Sequence, residues 1–131
     1  MRAQTRLSRG GSRRFSQISG LGRSAQAAVR RLEADRFHAG YLRDGLDQFE
    51  QFLRGPGRWL YVPLADCPCH DPVSGRDTVE VMLNALPSRA RRELRAVIGR
   101  LDDEFERRTL PDPTAPVKPG LGWWHRRLTE R

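Results

Sequence analysis

The chain has 131 residues and a net charge of +8, from 24 basic and 16 acidic side chains. Its length suits a single domain. No run approaches the roughly 18 apolar residues of a membrane span, and its two cysteines are too few for a disulfide scaffold.

Residues 1–23, MRAQTRLSRGGSRRFSQISGLGR, hold Leu7, Phe15, Ile18 and Leu21 as their only large apolar groups. So little burial cannot offset the entropy of ordering, which predicts a disordered basic arm. Arg13-Arg14 beside Ser12 and Phe15 has the form of a twin-arginine export signal, but the apolar run that must follow is missing. An Arg/Ser-rich, acid-free start is also the composition of an organellar transit peptide. From Ser24, an N-cap candidate, to about Arg54, apolar or small residues recur at Ala28, Leu32, Ala39, Leu42, Leu46, Phe49 and Leu53. Those spacings describe one helical face, with Asp35 the exception. Gly40 and Gly45 each cost about 1 kcal/mol relative to Ala in a helix, which marks a kink or a break into two helices. Gly55-Pro56-Gly57 ends the element.

Residues 55–76 form a central loop. Arg58–Leu64 is its only strand-like run; Pro63 confines it to an edge, and no clear second strand exists to make a sheet. Asp77-Thr78-Val79-Glu80 has the form of a capping box opening a short helix to about Leu86. Pro87 stops it. Ser88 then caps a long helix to about Thr109, with Ala90, Leu94, Val97, Ile98, Leu101 and Phe105 on one face. Residues 111–120, PDPTAPVKPG, hold four prolines and predict an extended linker that delivers LGWWHRRLTER. The expected architecture is a small all-α domain over residues 24–110. It consists of a long, a short and a long helix between a basic arm, 1–23, and a Pro-linked tail, 111–131.

The charge is strongly localised. Residues 1–32 hold eight arginines and no acid, whereas residues 33–131 hold 16 charges of each sign. Of the 24 basic residues, 23 are arginine and Lys118 is the one lysine. Arginine's planar fork suits phosphate, but so lopsided a ratio also reflects a GC-rich, bacterial coding bias, so the position of the charge says more than its identity. In the arm, Arg2, Arg6, Arg9, Arg13 and Arg14 are candidates for neutralising phosphates without reading sequence; the plain alternative is a solubilising terminus. Arg89, Arg91, Arg92 and Arg95 crowd the start of the last helix. There, across Leu86-Pro87-Ser88, the second helix of a helix-turn-helix would meet a major groove. The placement opposes the helix dipole, which favours acids early and bases late; the alternative is a solvated face, and acids further on, Asp102 to Glu104 and Glu106, would repel DNA.

Cys67-Pro68-Cys69-His70 supplies thiolate and imidazole, the zinc donor types. Cys67, Cys69 and His70 are therefore candidate zinc ligands, with Asp66, Asp71, His38, His125 or a second chain as the missing donor. The C-x-C spacing is tighter than usual, and an inert loop or a redox-sensitive pair would give the same residues. Trp123, Trp124, Arg126 and Arg127 form an aromatic and basic end. It either docks on the chain's own helices, stacks on bases or anchors in a partner protein. No Gly-rich phosphate loop, G-x-S-x-G or H-E-x-x-H is present, and no catalytic set emerges. The expectation is a small, non-enzymatic, bacterial and cytoplasmic accessory or regulatory protein that binds DNA or RNA, with no membrane partner. The alternative is a protein-interaction adaptor using amphipathic helices and the Trp tail, with or without structural zinc.

Overall fold

The computed structural model describes residues 17–63, 71–117 and 120–130. The protein is all-α. Four helices, α1 (Arg23–Arg36), α2 (Tyr41–Leu53), α3 (Val73–Ala85) and α4 (Ser88–Arg108), surround one core. A 3-10 turn, Trp123–Arg126, follows. β1 (Val62–Pro63) and β2 (Thr129–Glu130) add a two-residue parallel pairing with Val62 opposite Thr129. The second strand that the sequence did not disclose is the end of the chain.

The single long helix expected over 24–54 is two helices. Gly40 adopts the left-handed conformation, with φ 86°, where an L side chain is disfavoured. The break leaves the first N–H groups of α2 without intrahelical partners. The Glu33 carboxylate, only 3% exposed, supplies them: it accepts from Gly40 N–H at 3.1 Å and Leu42 N–H at 2.9 Å. Gly45, the other glycine, stays helical because α2 and α3 cross there. A Cβ on Gly45 would lie 2.8 Å from Thr78 Cβ, and one on Gly75 would lie 2.5 Å from the Gly45 carbonyl oxygen. Two missing side chains let the two backbones meet, and this is the most extensive helix contact in the fold.

The expected caps are also replaced. Ser24 lies inside α1, which starts after Gly22; Gln26 instead binds residues 18–21 through its amide, donating to the Ile18 and Leu21 carbonyls and accepting from Ile18 N–H. The Asp77 capping box is not formed. The helix begins four residues earlier, and Asp71 Oδ1 accepts from Val73 N–H at 3.0 Å. Ser88 opens α4 but makes no side-chain cap; Pro87 holds the N-cap position.

Ile18 and Leu21 are buried, so the chain is already packed before residue 24 and the expected arm boundary at 23 falls too late. The core centres on Phe49 and Phe105, with ring centroids 5.4 Å apart, and on Leu42, Met82, Leu83, Leu86, Leu94 and Ile98. Each such side chain contributes roughly 1.5–3 kcal/mol of burial. Nor is the tail a free tether. Leu128 N–H donates to the Leu110 carbonyl at 2.8 Å, Asp112 N–H to the Arg126 carbonyl at 2.9 Å, and Val62 N–H to the Leu128 carbonyl at 3.1 Å.

Candidate nucleic-acid interface

The first half of α4 presents Arg89, Arg92 and Arg95 to solvent. Their three-residue spacing keeps them on one side of the helix, about 4.5 Å apart along its axis. None makes an ion pair among the described residues. Glu93 is the one acid in this half of the helix, and it is turned away: its Oε1 accepts from Gly22 N–H at 2.7 Å. Three guanidinium groups are thus left with no carboxylate partner among the described residues.

Arg91 stands apart from these three. It is partly buried, its Nη2 donates to the Leu86 carbonyl at 2.9 Å, and its Nε is enclosed with no hydrogen-bond partner among the described residues. It closes the C-terminal end of α3, where the last carbonyls need donors, and is not presented to a ligand.

Arg2, Arg6, Arg9, Arg13 and Arg14 lie outside the described residues. The root of the arm does not. The Gln17 carbonyl accepts from Arg43. Gly20, with φ 96°, passes so close to α4 that a Cβ there would lie 2.7 Å from Val97 Cγ2 and 3.5 Å from Arg100 Nη2. The chain then meets Glu93 at Gly22. Residues 20–22 therefore pack against α4, and Gln17 is held by α2.

Much of the aromatic end docks on the chain's own helices, the first of the three alternatives above. Trp124 is 5% exposed, its Nε1 donates to Asp77 Oδ1 at 2.8 Å, and its ring lies 3.9 Å from Arg76 Cζ. Trp123 packs on Phe105 at 5.7 Å. Arg127 donates to Thr109 Oγ1 at 2.9 Å, the Thr109 carbonyl at 3.0 Å and the Glu106 carbonyl at 3.2 Å, capping the end of α4. Burial lowers its pKa, against the opposing pull of Glu106. Arg126 is exposed.

Arg76, 4% exposed, is the electrostatic centre of this docking and was not foreseen. It makes a bidentate pair with Asp102, Nε to Oδ1 at 2.8 Å and Nη2 to Oδ2 at 2.9 Å, and reaches Glu80 Oε1 at 3.0 Å. Burial works against its charge, and the bonds and attraction of Asp102 and then Glu80 outweigh it, holding the pKa above the ordinary arginine value. His125 Nε2 meets Asp77 at 2.8 and 3.0 Å. A His–Asp pair does acid–base work only with a nucleophile or substrate group in reach; the side-chain partner of His125 here is Asp77, so the pair fastens the tail to α3. The Arg76–Glu80 pair has the local i,i+4 spacing, but no local signal in the sequence could reveal the Arg76–Asp102 and His125–Asp77 pairs, whose members lie 26 and 48 positions apart.

Cys67, Cys69 and His70 also lie outside the described residues. Among the described residues no group of three or more His, Cys, Asp or Glu side chains is arranged to hold a metal. Of the further donors considered, His125 is bound to Asp77, Asp71 caps α3, and the His38 ring packs edge-on to Tyr41. No described helix is long and apolar enough to cross a membrane. Comparison with protein-family profiles, with curated proteins and with solved structures found no match to this chain.

Proposed function

We propose that this is a small, non-enzymatic nucleic-acid-binding accessory or regulatory protein of a bacterial cytoplasm. The observation that carries the reading is the exposed Arg89, Arg92 and Arg95 set, free of ion pairs among the described residues, on the helix against which residues 20–22 pack. An exposed guanidinium that binds no carboxylate is available to phosphate, and an oriented row of three fixes a direction that a flexible arm alone cannot. The arm adds charge at long reach, and the helix supplies register. The adaptor alternative draws less support, since Trp124 is buried.

The test is retention of labelled DNA and RNA by the full chain as salt is raised. Binding is expected to fall steeply with salt, because each neutralised phosphate releases counterions. Changing Arg89, Arg92 and Arg95 together to Gln should flatten the slope of log K against log salt by about 2 to 3. Removing residues 1–16 should weaken binding without altering the fold. A full-length protein that ignores both nucleic acids at low salt sinks the proposal.

A further inference from the structure

We infer that the segment Arg58–Val62 is a stacking platform for the bases of single-stranded nucleic acid. The inference rests on the nucleic-acid reading above and narrows it to unpaired strands. Burial alternates along the segment. Leu60 and Val62 are in the core, while Trp59 and Tyr61 are 42% and 44% exposed. In extended backbone, residues two apart project to the same side at about 6.6–6.8 Å separation. That is about twice the 3.4 Å rise between stacked bases, so both rings lie within reach of the same short stretch of strand. Among the described residues neither ring meets another aromatic side chain.

The backbone under the rings is held in place. Leu60 N–H donates to the Arg108 carbonyl at 2.6 Å and Val62 N–H to the Leu128 carbonyl at 3.1 Å. The Arg108 guanidinium donates to the carbonyls of Leu53, Gly55, Gly57 and Arg58. Ordering entropy for these residues is thus already spent in folding, and a base that stacks here orders little further.

Charge decides what kind of flat ligand fits. The Arg58 guanidinium lies over the Trp59 ring, 4.9 Å from its centroid, and covers part of it while the remainder stays open. Arg54 and Arg58 are exposed and have no carboxylate partner among the described residues. Arg107, also exposed, is shared with Glu104. A flat ring flanked by cations suits a base carried on a phosphate chain. A duplex keeps its base faces stacked inside and offers only edges, so two exposed rings select an unpaired strand.

The experiment uses the full chain with labelled oligothymidine, oligouridine and a duplex of equal length, read by fluorescence anisotropy at low salt. The expected result is tighter binding of the single strands than of the duplex. The double variant Trp59→Ala, Tyr61→Ala should lose about ten-fold or more for single strands with unchanged circular dichroism, because stacking is lost. Trp59→Phe with Tyr61→Phe, which keeps both ring faces, should retain most of the affinity. Ultraviolet crosslinking of oligothymidine to the unaltered protein should place the adduct on Trp59 or Tyr61, a readout independent of any variant's folding. Duplex bound as well as single strand, adducts only elsewhere, or a salt-sensitive affinity untouched by the double alanine variant overturns the platform while the general nucleic-acid reading stands. No binding to any of the three probes removes both.

Discussion

Asp77 shows what a single residue contributes in this protein. Its carboxylate accepts from Trp124 Nε1 and meets His125 Nε2, so one side chain on α3 fastens two consecutive residues of the aromatic end. Beside it, Arg76 is enclosed between Asp102, Glu80 and the Trp124 ring. Arg76→Met would fill much of the same space but leave the Asp102 carboxylate without its bidentate partner. Stability to urea should fall by about 3–5 kcal/mol, the usual cost of breaking a buried ion pair from one side. The pH dependence follows from the raised pKa. A cation whose folded pKa lies above its unfolded value contributes fully below the unfolded value and loses that contribution only as pH rises through the folded one. For Arg76 both lie beyond the stable range of most proteins, so the loss in R76M should be equal at about pH 6 and about pH 9. A penalty that shrinks markedly at the higher pH would contradict this assignment.

At the scale of elements, the helices were legible because periodicity is local. The stripe of Ala90, Leu94, Ile98 and Phe105 appears as the buried face of α4, and the helix boundaries there agree with the expected ones. Where each neighbouring helix starts was not legible from caps alone. Asp77 and Glu80 have capping spacing, yet Trp124 and Arg76 take them instead, and α3 extends back to Val73. Glycine was informative but ambiguous. Gly40 breaks a helix and Gly45 packs one, and only the partner distinguishes them. Gly75→Ala should therefore destabilise by about 1–3 kcal/mol through overpacking at the crossing, more than the small gain that alanine normally brings to a helix interior. Thermal unfolding decides this; a neutral or stabilising G75A would mean that α2 and α3 are not held at this separation.

At the scale of the molecule, the C-terminal segment completes the core. The chain from residue 110 onward returns across α3, α4 and β1 and covers Phe105 with Trp123. A protein ending at Thr109 would expose that face and leave Arg76 and Asp77 without the Trp124 ring. Losing the buried Trp124 alone should cost about 3–5 kcal/mol, so the shortened chain should unfold at clearly lower temperature or lack a cooperative transition. Survival of a full cooperative transition would show that the tail is an accessory to the core and not part of it. The surface proposed for nucleic acid lies elsewhere, on the exposed arginines of α4 and the rings of Trp59 and Tyr61. The arginines were visible in the sequence as a cluster that opposes the helix dipole. The aromatic pair was visible only as a strand-like run, because its exposure depends on which alternate residues the core takes.

The sequence by itself determined the all-α class, three amphipathic helical stretches and the confinement of excess charge to the first quarter of the chain. Each of these depends on residue type and on spacing within a few turns, and such short-range properties need no knowledge of neighbours. Tertiary structure decided which charged and aromatic groups remain available. Arg76, Arg91, Arg108, Arg127 and Trp124 are bound within the fold, while Arg89, Arg92, Arg95, Trp59 and Tyr61 face solvent. Arginines share one chemistry, and a buried one is told from a free one only by the carboxylates and carbonyls that folding brings to it from distant positions in the chain.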